Sequence, residues 1–137
     1  MKKQEKGFTL LELLVVIGII GMLTGILSVS YNSAQKRGRD TRRRADVKAV
    51  QEALEQYYTE NSYVYPIGDC SDASDHLRSA WPTTDPSGVA YDGMGACATA
   101  SYCICATMEV EDTGNAADTS CSWTGASLDY YCVGNLQ

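Results

Sequence analysis

Residues 7–35 read GFTLLELLVVIGIIGMLTGILSVSYNSAQ, and this stretch decides the fold. No charged side chain occurs from Leu13 to Gln35, and Leu13–Leu27 is apolar apart from Gly18, Gly21, Thr24 and Gly25. At about 1.5 Å rise per residue, roughly 20 such residues cross the hydrocarbon core of a bilayer. One carboxylate, Glu12, sits just inside this apolar helix. A charge within a membrane span costs roughly 2.5–3.5 kcal/mol at the centre and less near the ends. Such a group marks a functional position with a partner.

Working outward, residues 1–7 (MKKQEKG) are short and polar, with Lys2, Lys3 and Lys6. Those lysines favour an N-terminus left in the cytoplasm. The basic run Lys36, Arg37, Arg39, Arg42, Arg43, Arg44 and Lys48 beyond the apolar stretch pulls the other way, so charge counting alone leaves the orientation open. Helical periodicity continues through the run. Val47, Val50, Leu54 and Tyr57 recur at 3/4 spacing and make one apolar stripe on a charged helix. No proline occurs before Pro66, so a single helix from about Phe8 to about Glu60 is expected.

After Asn61 the chain becomes rich in Gly, Ser, Asp, Thr and Pro, which marks loops. Val89–Tyr91, Tyr102–Glu109 and Leu128–Val133 read as short strands. The middle one alternates Tyr102, Ile104, Ala106 and Met108 with Cys103, Cys105, Thr107 and Glu109. The expected fold is therefore α+β: a long N-terminal helix packed by its second half on an antiparallel sheet of about three strands. The domain division is 1–7, then 8–60 (apolar over 8–35, amphipathic over 36–60), then a head over 61–137.

Six cysteines, Cys70, Cys97, Cys103, Cys105, Cys121 and Cys132, all lie in that head. An even cluster in a small domain reads as a disulfide set in an oxidising compartment. Six cysteines allow 15 pairings, and spacing does not choose among them. Cys103 and Cys105 share a strand face, so their partners lie elsewhere. Residues 61–137 carry ten acidic side chains and one basic one, Arg78. So anionic a head is a poor surface for DNA phosphates, and direct nucleic-acid binding is not expected.

The motif Lys6-Gly7-Phe8-Thr9-Leu10-Leu11-Glu12-Leu13 resembles the class III signal of type IV pilins and pseudopilins. Tyr57-Tyr58, Glu60-Asn61 and Tyr63 through Tyr65-Pro66 resemble the end of the pilin helix. Trp81-Pro82-Thr83-Thr84-Asp85-Pro86 resembles the segment preceding the first strand in pseudopilins. The resemblance covers Lys2–Tyr91. It implies cleavage between Gly7 and Phe8 by a prepilin peptidase, N-methylation of Phe8, and a need for Glu12 in assembly. It also implies a cytoplasmic leader, a single-pass membrane stage, and then an extracellular pilus. The partners it implies are further copies in a helical filament and an inner-membrane platform with its ATPase. The expected function is structural, as a pilus subunit in adhesion, twitching motility or DNA uptake. The alternatives are a secretion or competence pseudopilin, or a minor tip pilin with a binding head. One departure is Val29, where many family members carry a proline.

A competing reading takes Leu13–Leu27 as a secretory signal cleaved near Ser28-Val29-Ser30. It leaves Glu12 and the amphipathic helix unexplained. No nucleophile motif, HExxH or second histidine accompanies His76, so no catalytic residue is assigned and no enzyme or cofactor is expected. Disulfides are preferred to a metal at Cys103-x-Cys105. Glu109, Glu111, Asp112, Asn115 and Asp118 are read as a solvated acidic turn in preference to a calcium loop. The basic run of 36–48 faces lipid head groups, a neighbouring acidic head, or solvent.

Overall fold

The structure, a computed structural model, describes residues 7–136, with backbone alone at 27–30. The leader lysines and the side chains of Ser28, Val29 and Ser30 therefore lie outside the described residues. The element order is α1 (Leu10–Glu60), a 3-10 turn (Cys70–His76), β1 (Cys97–Ala98), β2 (Ser101–Thr107) and β3 (Tyr130–Gly134). The chain divides into two compact units, Met1–Gln35 and Lys36–Gln137.

In the first unit α1 begins with a capping box. The Thr9 amide and Oγ1 both donate to Glu12 Oε2 at 2.8 Å, and the Glu12 amide donates back to Thr9 Oγ1 at 3.2 Å. These bonds satisfy amides that the first helical turn leaves without partners. Thr24 returns its hydroxyl to the carbonyls of Ile20 and Gly21, so this polar group is satisfied within the helix. Among the described residues, a Cβ at Gly18, Gly21 or Gly25 would meet nothing within 4 Å, so no contact there requires these glycines.

In the second unit the α1 stripe meets the sheet. Val47, Val50 and Leu54 are fully buried, together with Ile104 and Ala106 of β2 and Tyr65 from the segment after the helix. Burying each aliphatic side chain contributes about 1.5–3 kcal/mol. Tyr57 packs against this core half-buried. Glu55 organises the polar edge. Its Oε1 accepts from Tyr102 Oη at 2.7 Å, Tyr65 Oη at 3.0 Å and the Leu136 amide at 3.1 Å. Tyr58 stacks on Tyr65 and Tyr102 meets it edge-on, so the Tyr65-Pro66 turn is held by aromatic contacts.

The sheet is antiparallel in the order β1-β2-β3, with Cys97 opposite Tyr102 and Cys105 opposite Cys132. The six cysteines form three disulfides: Cys70–Cys97, Cys103–Cys121 and Cys105–Cys132. The first fastens the 3-10 turn to β1, the second fastens the 108–129 loop to β2, and the third bridges β2 and β3. The loop also docks on β3 through Asn115, whose Oδ1 accepts from the Cys132 amide and whose Nδ2 donates to the Cys132 carbonyl. At Gly114 a Cβ would lie 2.1 Å from the Tyr130 carbonyl oxygen, so this crossing has room only for glycine. The loop explains why Cys105, on the β2 face away from α1, is buried beside Ala116 and Cys132.

Three strand boundaries differ from the sequence reading. Val89–Tyr91 is not a strand. It returns on Thr83–Asp85 through one bridge, Thr84 to Ala90, because Asp85 Oδ1 takes the Ser87 and Val89 amides and tightens the turn. The first strand is instead the two-residue Cys97–Ala98. β2 stops at Thr107, short of Glu109, because the Glu109 and Val110 amides turn to the Asp40 carboxylate at 2.9 and 3.0 Å. β3 starts at Tyr130, since the Leu128 amide bonds Asp112 Oδ1 in place of a strand partner.

Candidate functional site

The apolar segment is bare. Phe8 is 83% exposed and Leu10 86%, and no described side chain from Gly7 to Ile26 is buried within the chain. Leu10–Glu60 contains a stretch long and apolar enough to cross a membrane by length and composition. Water-exposed, this surface would be strongly unfavourable, at about 25 cal/mol per Å² of apolar area. Its cover is a bilayer or other protein chains. Glu12 stands at the head of this surface with Oε2 committed to Thr9. Gly7 and Phe8 precede the helix in irregular backbone.

The head contains a second ordered site that the sequence reading missed. Arg43 is 4% exposed in its side chain and lies among three carboxylates. Its Nη1 is 2.7 Å from Asp40 Oδ1, its Nη2 2.6 Å from Glu109 Oε1, and both its Nε and Nη2 reach Asp85 Oδ2. Arg39 grips Glu109 with two parallel bonds, Nε to Oε1 at 2.7 Å and Nη2 to Oε2 at 2.5 Å. Ser87 Oγ joins both Arg43 and Glu109. Forked arginine–carboxylate pairs of this kind combine strength with fixed geometry.

The electrostatics follow the contacts. Hydrogen bonds from Arg39 lead the lowering of the Glu109 carboxyl from 4.5 to about 2; Arg43 and Ser87 add to it, against a smaller opposing effect of burial. Burial works against the Arg43 charge, but the bonds to Asp85, Glu109 and Asp40 outweigh it and raise its pKa. Burial also pushes Asp85 up, yet Arg43 and the Val89 and Ser87 amides leave it below its ordinary value.

This cluster corrects two expectations. Glu109 belongs to an internal clasp, where the sequence reading placed it in a solvated turn. Part of the 36–48 run also faces its own head, since Arg44 Nη2 bonds the Thr113 carbonyl and Tyr91 Oη bonds Asp46. A sequence signal existed. Asp40, Arg43, Val47, Val50 and Leu54 continue one 3/4 stripe, so the buried face extends two charged positions toward the N-terminus. The other acidic-loop residues go to separate partners. Asp129 Oδ1 accepts from the Asp112 amide and Asp112 Oδ1 from the Leu128 amide, Asp118 takes Ser120 and Ser122, and Asn115 serves Cys132. His76 lies half-buried, 4.0 Å from Glu60 and edge-on to Tyr57. Cys103 Sγ and Cys105 Sγ are 3.5 Å apart, each bonded to a different partner.

Residues 2–28 match the family model described as the prokaryotic N-terminal methylation motif. The chain is 34% identical over 104 residues to the type IV wide pilus major component PilA4 of Thermus thermophilus, covering 76% of this chain and 74% of that protein. It is 34% identical over 65 residues to the type II secretion system core protein G of Pseudomonas aeruginosa, covering 47% of this chain and 45% of that protein. It is 37% identical over 71 residues to the core protein G of Vibrio cholerae, covering 50% of this chain and 48% of that protein. The chain thus spans about half the length of these two secretion relatives. No solved structure matches it. A capped apolar helix, exposed among the described residues and continuing into a disulfide-bonded α+β head, defines a helix-anchored assembly protein. The chain belongs to the type IV pilin family.

Proposed function

We propose that the chain is a structural, non-catalytic subunit of an extracellular type IV pilus filament. The observation that carries this reading is the uncovered apolar helix headed by Glu12. A prepilin peptidase cuts between Gly7 and Phe8, separating leader 1–7 from the mature chain, and Phe8 is then methylated. Residues 8–35 hold the subunit in the membrane and afterwards form the filament core. The head, residues 61–137, rides outside on the amphipathic 36–60 half. The assembly platform and its ATPase move the subunit from one environment to the other.

Glu12 acts as a registry device. In a low-dielectric core an unpaired carboxylate is expensive, and the new amine of a neighbour's Phe8 is an available cation. Pairing rewards the correct axial offset between copies. Glu12→Ala should therefore leave membrane insertion intact and reduce filament yield, and Glu12→Gln separates charge from shape. Normal filaments from both variants would remove this role.

A pseudopilin reading has its own support in the likeness to two secretion core proteins. Location separates the two. Sheared surface material dominated by this chain supports a pilus, and retention in the envelope supports a secretion filament.

A further inference from the structure

Beside the Arg43 clasp lies a cavity of about 250 Å³, between α1 and the start of the 108–129 loop. Arg37, Thr41 and Arg44 line it from one face of the helix, and Val110 and Thr113 line it from the loop. Asp40 also borders it, but its carboxylate is spent: Oδ1 on Arg43 and the Glu109 amide, Oδ2 on the Val110 amide. Among the described residues no carboxylate pairs with Arg37 or Arg44.

Arg44 is held in place without being satisfied. Its Nη2 bonds the Thr113 carbonyl and its guanidinium lies 5.3 Å from the centroid of the Tyr131 ring. Its Nε is buried with no hydrogen-bond partner. A buried N–H left unpaired on a charged group is costly, and a fixed guanidinium over an aromatic ring is preorganised for an anion. Arg37, exposed about two turns earlier on the same face, supplies a second positive charge.

We propose that this cavity is a carboxylate-binding notch that receives an acidic side chain from the head of a second copy of this chain. The inference rests on the filament reading. Charge complementarity selects the occupant. The head carries ten acidic side chains against one basic, and Asp72, Asp75, Asp92 and Glu111 stand exposed on it. The notch begins two residues beyond the 8–35 segment assigned to the filament core, so copies that share a core bring heads past it. A carboxylate seated between Arg37 and Arg44 forms charge-assisted bonds on a surface that otherwise repels its own kind. The notch would thus let a strongly anionic head pack against its neighbours.

The test uses the full chain in an assembling host. In Arg37→Gln/Arg44→Gln the filament yield should fall about two- to five-fold per lost contact, because rim ion pairs contribute up to about 1 kcal/mol each. Arg37→Lys/Arg44→Lys should keep most of it. Carbodiimide treatment of Arg37→Lys filaments should couple the amine introduced at that position to a head carboxylate of another copy. Mixing isotopically labelled and unlabelled chains distinguishes this from self-coupling. Arg37→Gln alone removes an exposed side chain and stands if Arg44→Gln perturbs the head. Normal yield from the glutamine variants, the outcome expected if the notch takes a free acidic ligand, overturns the proposal. So does coupling confined to single chains. If the wild-type chain forms no filament at all, the filament reading itself fails, which is a separate result.

Discussion

The two halves of α1 obey opposite rules. In its first half Leu10, Leu14, Ile17 and Ile20 are exposed among the described residues. Its second half buries Val47, Val50 and Leu54 completely and carries a buried Asp40–Arg43 pair on the same stripe. The first half has its Thr9–Glu12 cap and an apolar surface; the second packs on its own head. A helix can therefore serve as a polymer core and a domain core in succession, provided that apolar side chains encircle one half and form a single stripe on the other.

The largest expected effect comes from breaking the clasp. Arg43→Leu removes the guanidinium that Asp40, Asp85 and Glu109 share, leaving Arg39 on Glu109 and backbone amides on Asp40 and Asp85. Removing one partner of a buried ionic cluster typically costs about 3–5 kcal/mol. Thermal unfolding of the detergent-solubilised chain, followed by near-UV circular dichroism, should register this as a large loss of head stability. Leu54→Ala should cost about 2–5 kcal/mol by the same measurement, because a fully buried leucine leaves a cavity. Leu14→Ala should leave head stability unchanged, since that side chain is 66% exposed. Equal losses from Leu54→Ala and Leu14→Ala would erase the contrast between the two halves.

A third expectation concerns pH. Glu109 ionises near 2 in the folded head against an ordinary 4.5, so its ion pairs stabilise the fold fully above about pH 4.5. That contribution declines as pH falls from about 4.5 through about 2, because the unfolded chain then binds the proton more readily. Asp85, also lowered, acts in the same sense. Glu109→Gln should flatten the stability profile across that window. The smallest effect is at the cap. Thr9→Ala should lose about 1 kcal/mol of local helix stability, seen as faster amide exchange at Glu12 and Leu13, while Thr9→Ser should retain it.

Much of this was legible in the chain because periodicity is a strong signal. The charge-free run from Leu13 and the Val47–Val50–Leu54 stripe identified both halves of α1, and the β2 alternation put Ile104 and Ala106 on one shared face, which the structure buries. The clasp was not read, because Arg43 and Asp85 lie 42 positions apart and Arg43 and Glu109 66. A charge run looks solvated until its partners are located. β1 was missed for a related reason. Two residues carry no alternation, and Cys97–Ala98 is held by a tight return on β2, a bridge from Cys97 to Gly68 and the disulfide to Cys70. The Val89–Tyr91 segment had strand-like composition, but the Asp85 side chain closed it into a turn.

On the function proposed above, the apolar half of α1 is the assembling element of a processed subunit. Intact-mass analysis of the chain recovered from sheared surface material tests it most directly. The expected product is a mature chain beginning at Phe8, heavier by one methyl group and with all six cysteines oxidised. A chain beginning at Tyr31, with the apolar segment removed as an ordinary secretory signal, would contradict it.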